Sequence, residues 1–553
     1  MGDYESAYKN FDWEEIKDRF DWSSTGKVNM AHEAVDRHVK DKGGKTALHY
    51  IDDGREEKYT FKEISILSNR FANLLKELDI VKGDRIFIFM PRSPELYIAF
   101  MGILKTGAIP VPVFEAFMKE GLLDRMGDCD PVAVVTSDIV KSRIPKEEVK
   151  SLRYIIVSGE STKDEINYDD LKGRSPDFEP VWLSLDDPLL IHYTSGSTGK
   201  PKGVLHAQRA MIGHYQTGKW VLNFQENDVH WCTADPGWVT GTSYGIFSPW
   251  LNGVSIVIRG GRFSPKPWYQ TIEKLKVTIW YSAPTAFRLL MGAGDDLLKN
   301  FDLQSLRAIF SVGEPLNPEV ISWSLKAFNQ PIHDSWWMTE CGMMVISNYP
   351  SMSIKPGSMG RPFPGVEAAI IDDIGVILDR GKVGNLALKK GWPSMMKEIW
   401  RNEERYKKYF EFDPWFISGD SAFIDEEGYF HFIGRVDDVI KTSGERVGPF
   451  EVESRLIEHP DVIEAGVIGK PDHLRGEIIK AFVLLKEGVE GDDNLKRELM
   501  EFVKVGLAAH ASPREIEFVK IIPKTRSGKI MRRVLKAKEL GLDLGDTSGM
   551  EDS

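Results

Sequence analysis

"IHYTSGSTGKPKGVLH" (191–206) starts as an apolar strand and then spends ten residues on Thr, Ser, Gly, Lys and Pro. Such a run suits neither a core strand nor a helix. Its chemistry is that of an anion cradle. Thr194, Ser195, Ser197 and Thr198 offer hydroxyls, Gly196 and Gly199 let backbone N–H groups approach an anion, and Lys200 and Lys202 add charge. It is not a Walker A loop, because the glycines are too close and Lys200 is followed by Pro201 rather than Ser or Thr. A GxGxxG dinucleotide turn is also absent.

Outward from this loop, short β-rich runs alternate with helix-period segments. The runs include "RIFIFM" (85–90), "VAVVTS" (132–137), "YIIVSG" (154–159), "VSIVIRG" (254–260), "VTIWYSAP" (277–284) and "LRAIFSVG" (306–313). Between them, Ile64, Leu67, Phe71, Leu74, Leu75 and Leu78 share one helical face, with Thr60 and Glu63 as a capping box. This alternation predicts an α/β fold, with parallel-type sheets covered by helices in a large N-terminal domain. Past residue 436 the elements shorten, as in "VIEAGVIG" (462–469), "IIKAFVLL" (478–485), "REIEFVKIIP" (514–523) and a helix near 493–509. We expect domains at 1–436 and 437–553, the second a small, mobile α+β unit with a loosely held tail after Lys538.

Among 553 residues, 71 Lys and Arg face 83 Asp and Glu, for a net charge of −12. An acidic chain is a poor general ligand for nucleic acid, although Lys520–Lys538 holds eight basic residues and no acid. The three cysteines have no metal-like spacing, the N-terminus has no apolar leader, and no run is long enough to span a membrane. A cytoplasmic location is expected.

"YTSGSTGKPKGV" (193–204) resembles the phosphate-loop signature of the adenylate-forming superfamily of acyl-CoA synthetases, luciferases and peptide-synthetase adenylation domains. Five further stretches resemble that family's motifs in its order: "SVGEPL" (311–316), "DSWWMTECG" (334–342), "WFISGD" (415–420), "GRVDDVIKTSGERVGPFEVE" (434–453) and "PKTRSGKIMRR" (523–533). Within the superfamily the chain is most similar to short prokaryotic AMP-forming acetyl-CoA synthetases. The resemblance implies that a carboxylate attacks the α-phosphate of ATP, giving acyl-AMP and pyrophosphate, and that the CoA thiol then displaces AMP. Both steps build charge on oxygen, so fixed donors and cations should dominate catalysis.

The same resemblance assigns roles to residues. Lys529 would bridge carboxylate and α-phosphate, Thr339 would donate to that phosphate, and Glu340 would ligate Mg²⁺. Asp420 would accept the ribose hydroxyls, with Arg435 nearby and Arg446 toward phosphate. Gly313, Glu314 and Pro315 would line the adenine, with Asp334 at its amino edge and Ser335, Trp336, Trp337 and Met338 along the nucleotide. Asp437 would be the hinge between two domain orientations, and Gly444 would line the pantetheine channel. Trp238, Val239, Thr240, Val312 and Trp337 would form the acyl pocket, the Trp337 indole filling its floor and favouring acetate-sized acids. At Glu115-Ala116 the chain departs from the Gly-Gly pair of longer relatives, in a region that touches the CoA nucleotide in them. Further expectations are acylation of Lys529 by a lysine acetyltransferase, reversed by a deacetylase, and a reversible net reaction. Alternative readings are a branched, medium-chain or cyclic acyl-CoA synthetase, or a stand-alone enzyme loading a carrier protein.

Overall fold

The computed structural model describes residues 2–194, 201–442, 445–525, 529–544, 547 and 550. Two largely parallel sheets dominate it. The first runs 109–112, 85–89, 133–137, 154–158 and 166–167, every neighbouring pair parallel. Its central strand Ala133–Ser137 is buried along its whole length, as an unbroken apolar run with both faces covered requires.

The second sheet has nine strands, ordered 361–362, 346–347, 332–336, 308–311, 279–282, 229–232, 255–259, 46–51 and 56–60. Its middle is parallel, and antiparallel pairs close both edges. Four parallel strands end side by side at Cys232, Ser282, Ser311 and Trp336. Ligands of open α/β sheets bind beyond the carboxyl ends of their strands. Val312, Trp337 and the segment containing Trp238 follow such ends directly.

The helix Phe61–Glu77 begins on the predicted capping box, Thr60 receiving the Glu63 N–H while the Glu63 carboxylate receives that of Thr60. Two antiparallel sheets, one of four strands within 368–435 and one of three within 188–399, were not foreseen. Their strands are interrupted by charged turns and lack the long apolar runs that mark the parallel ones. One carries Asp420, in direct register with Arg435 on the neighbouring strand.

Beyond the exposed turn containing Asp437, the strands 445–447, 440–442, 476–485 and 462–472 form a separate sheet, with 515–518 added parallel to 476–485. Helices Pro449–Ile457, Asp493–Gly506 and Arg532–Leu540 accompany it. Leu456, Val467, Ala481, Leu499 and Val503 form its own core. Among its contacts with the rest of the chain, the Asn317 amide donates to Ser454 Oγ at 2.8 Å. The tail is less free than expected, since Met550 makes a bridge to Thr525.

Candidate active site

The turn Thr339–Gly342 leaves the nine-stranded sheet and presents four consecutive carbonyls to the interior. Each meets a donor from elsewhere in the chain. His206 Nε2 donates to Thr339 O at 2.9 Å and His214 Nε2 to Gly342 O at 2.8 Å. The Met396 N–H donates to Glu340 O at 2.9 Å and the Trp392 indole to Cys341 O at 2.8 Å. Burial pushes His206 down to about 4 and His214 down to about 3, so both imidazoles are neutral near pH 7. The turn is thereby fixed from behind, as a buried backbone must be.

In front of it, the Glu340 carboxylate receives Lys202 Nζ at 2.5 Å and the Tyr409 hydroxyl at 2.7 Å. Lys202 also donates to Tyr409 and lies over its ring. Burial alone would raise Glu340, but the Lys202 charge and the two hydrogen bonds outweigh it and leave the carboxyl below its ordinary value. Among the described residues no three His, Cys, Asp or Glu gather as a metal cage. One ionised, cation-seeking carboxylate fits the way Mg²⁺ is usually held beside nucleotide phosphates, which complete its shell. Just before residues 195–200 in sequence, Thr194 Oγ1 is buried without a partner among the described residues. Ser195, Gly196, Ser197, Thr198, Gly199 and Lys200 themselves lie outside the described residues, as does Gly444; the backbone of Arg446 is in the strand Glu445–Val447, its side chain outside the description.

A second corner forms around Asp420. Arg435 Nη1 reaches Asp420 Oδ1 at 2.8 Å and the Trp336 indole reaches Oδ2 at 2.9 Å. Gly419 has φ of +77°, and a Cβ there would meet Arg435 Nη2 at 2.9 Å, so glycine is needed beside this pair. Asp334 is buried with Oδ1 unpartnered, and burial pushes its carboxyl up to about 8. The Glu314 carboxylate is committed elsewhere, capping Thr285 and pairing with Arg288 Nη2 at 2.8 Å, which leaves the backbone of Gly313, Glu314 and Pro315 as the surface available to a flat ligand. Ser335 turns its hydroxyl into the core, onto Ser311 O at 2.7 Å. Met338 packs half-buried against the same core as Trp336.

The apolar residues expected to form the acyl pocket follow the strand ends. Trp337 is buried, with Val312 and Cys232 in the same cluster and Val239 packed against it. Trp238 lies 5.7 Å from the Phe114 ring, and a Cβ on Gly237 would stand 2.4 Å from Phe114 N. The divergent 111–121 stretch therefore abuts the Trp238–Thr240 wall.

Lys529 completes the arrangement from the small C-terminal sheet. By surface area it is exposed, yet it lies within reach of the charges of Arg435, Asp420, Arg532 and Asp438. Desolvation there and the neighbouring charges of Arg435 and Arg532 pull its pKa down, with Asp420 and Asp438 opposing. Lys529 thus belongs to the same electrostatic neighbourhood as the Asp420 corner. Sequence reasoning assigned no role to Tyr409, His206 or Tyr281, and gave Lys202 only to phosphate. Tyr409 lies in the charged run before "WFISGD", where nothing in the spacing marks it.

Residues 35–400 match the AMP-binding enzyme family and residues 451–529 the AMP-binding enzyme C-terminal domain. The acetyl-coenzyme A synthetase of Bacillus subtilis (strain 168) is 60% identical, over 100% of this chain and 98% of that protein. That of Methanothrix thermoacetophila is 41% identical, over 96% and 86%. Among solved structures, a Brucella canis acyl-CoA synthetase superposes with a TM-score of 0.77 at 34% identity, covering 98% of this chain and 99% of that one. An anthranilate CoA ligase in complex with anthranoyl-AMP gives 0.87 at 31%, covering 93% and 98%. No helix among the described residues is long and apolar enough to cross a membrane. With both family matches together spanning most of its length, the chain belongs to the AMP-binding enzyme family.

Proposed function

We propose that the chain is an AMP-forming acetate–CoA ligase, converting acetate, ATP and CoA to acetyl-CoA, AMP and pyrophosphate through acetyl-AMP. The observation that carries the reading is the meeting of Glu340, the Asp420–Arg435 pair and the Lys529 charge near strand ends that carry a buried apolar cluster including Trp337; in this reading the Trp337 indole floors the acyl pocket. The names of its relatives, acetyl-coenzyme A synthetases, agree with it.

In this reading Asp334 accepts from the adenine amino group, the ribose sits on Asp420, and the 195–200 loop holds the outer phosphates. Thr339 and Lys529 steady the α-phosphate as the acetate oxygen attacks it; the new bond is carboxylate O to phosphorus, and pyrophosphate leaves. Glu340 would hold Mg²⁺, which neutralises phosphate charge when bound, and Lys202 keeps that carboxylate ionised until then. The domain boundary lies at 436/437. Rotation at Asp437 then withdraws Lys529 and presents Gly444 beside the thiol channel, where CoA sulfur attacks the acyl carbon and AMP leaves. Acylation of the Lys529 amine by a lysine acetyltransferase would delete its charge and stop the first step only. Three buried, unpaired cysteines agree with a cytoplasmic location. Both half-reactions run in either direction.

Trp337 is the selector. A panel of C2 to C6 straight, branched and cyclic acids in a CoA-dependent AMP-release assay should show acetate and propionate far ahead. Trp337→Gly should move the preference to longer acids. A wild-type enzyme preferring C5 or C6 acids, or an unchanged preference in the variant, would refute the acyl assignment. AMP release that does not need CoA would favour a carrier-protein loader instead.

A further inference from the structure

The Trp337 indole does not stand alone. Its Nε1 donates to the Tyr281 hydroxyl at 3.1 Å. Tyr281 Oη lies 2.9 Å from Ser335 Oγ, which lies 2.7 Å from Ser311 O. The polarity of this relay is fixed by its ends. An indole nitrogen only donates and a backbone carbonyl only accepts. Ser335 has one proton, and it goes to Ser311. Tyr281 must then give its own proton to Ser335, which leaves its oxygen lone pair for the indole. Every proton is used, and the alternative orientation would leave the Tyr281 O–H without an acceptor and the Ser311 carbonyl without this donor.

The relay spans three adjacent strand ends. Tyr281 sits at the end of Ile279–Ser282, Ser311 ends Ala308–Ser311, and Trp337 follows Ile332–Trp336. Ser311 directly precedes the pocket residue Val312. The Tyr244 ring meets the indole nearly edge-on, with centroids 5.1 Å apart at 77°, and also meets the Tyr281 ring at 5.7 Å and 89°. The Tyr244 hydroxyl is occupied elsewhere, by the Met344 N–H at 2.7 Å and by Thr217 Oγ1 at 2.9 Å. Tyr244 therefore limits the indole by shape, while only Tyr281 holds it by a directed bond.

From this geometry we propose that Tyr281 is a positioning residue that sets the depth of the acyl pocket, by locking the Trp337 indole across its floor. The proposal rests on the reading of Trp337 as that floor. Without the Tyr281 hydroxyl, the buried indole N–H loses its acceptor. The ring then has reason to turn toward another partner and open the floor. Chain-length selectivity is thus written in two residues, one that fills the space and one that keeps it filled.

The test measures kcat/KM for acetate, propionate, butyrate and valerate in wild type, Tyr281→Phe, Trp337→Gly, Trp337→Phe and the Tyr281→Phe/Trp337→Phe double variant. Tyr281→Phe should raise the butyrate-to-acetate ratio about tenfold, roughly what one methylene of pocket space is worth. The change should appear in KM for the longer acids and leave KM for ATP in place, a split that a general loss of structure would not produce. On the Trp337→Phe background, which has no indole N–H, the same substitution should change the ratio no further. If Tyr281→Phe does not fold, Ser335→Ala should shift the ratio in the same direction by less. A shift with Trp337→Gly but none with Tyr281→Phe or Ser335→Ala would overturn the positioning role alone. A shift with none of them would overturn the floor itself. An equal effect of Tyr281→Phe with and without the indole would also overturn the proposal.

Discussion

The Glu340 turn and the Lys529 segment bring opposite charges to one site, and they are held in opposite ways. Around Glu340, four successive carbonyls are capped by His206, Met396, Trp392 and His214, and the carboxylate is gripped by Lys202 and Tyr409. Lys529 sits in a short returning segment, held by its own N–H to Thr525 Oγ1 at 3.1 Å and by the Thr525 N–H to its carbonyl at 2.7 Å. It belongs to a sheet reached through the exposed turn at Asp437. One charge is built into the core, and the other, in the function proposed above, is delivered by a body that moves as a unit. Preorganised charge does the most for catalysis where it need not rearrange. If Lys529 leaves between steps as proposed, its charge has to be mounted differently.

Removing the delivered charge should have the largest effect. Lys529→Ala should lower ATP–pyrophosphate exchange by roughly 10³-fold, the upper range for loss of one transition-state donor, while thioester formation from added acetyl-AMP persists. Equal loss in both assays would erase the contrast. Freezing the delivery comes next. Asp437→Pro should leave exchange nearly intact and abolish thioester formation, because a proline stiffens the one turn that must rotate. Normal acetyl-CoA synthesis by this variant would remove the hinge.

Loosening the fixed half should cost less. His206→Ala leaves the Thr339 carbonyl with only the Gly342 N–H at 3.2 Å, which costs about 1 kcal/mol of stability for the lost hydrogen bond, and exchange should fall about tenfold as Thr339 and Glu340 drift. His206→Gln, which restores a donor, should recover exchange more than it recovers the melting temperature. If the two recover in step, His206 serves stability alone. The smallest effect is a pH dependence. Burial holds Asp334 up to about 8, so it is largely protonated at pH 7 and gains its full acceptor capacity as pH rises through that value. KM for ATP should therefore fall several-fold between pH 7 and 9 in wild type and stay flat in Asp334→Asn. A parallel slope in both would separate Asp334 from the adenine.

The parallel strands were legible in the sequence because burial on both faces leaves an unbroken apolar run, as at 133–137 and 255–259. The helix at 61–77 was legible because its cap and its apolar face agree. The antiparallel sheet carrying Asp420 was not, since its strands mix buried and partly exposed positions without a clean alternation or an unbroken apolar run. Among site residues, those inside motifs could be named in advance. Lys202 and Tyr409 could not be paired, because they meet only when two distant strands and a short helix end fold against Glu340. Trp336, whose neighbour drew attention as a pocket residue, binds Asp420, an 84-residue separation that no local pattern encodes.

The capped turn also sets a limit in acid. His206 and His214 are two of a larger group of buried imidazoles, and burial lowers His192 to about 3 and His230 and His333 to about 4, against an ordinary value of 6.5. An unfolded chain accepts those protons readily and the native one does not. Stability contributed by these groups is intact above pH 6.5 and drains away as pH falls toward 4, each unit of depression being worth about 1.4 kcal/mol. The interior that keeps Glu340 in place is thus an acid fuse: a cell that takes up a weak acid faster than it exports protons disarms this enzyme from within, before the Glu340 carboxylate, held below its ordinary value, is itself neutralised.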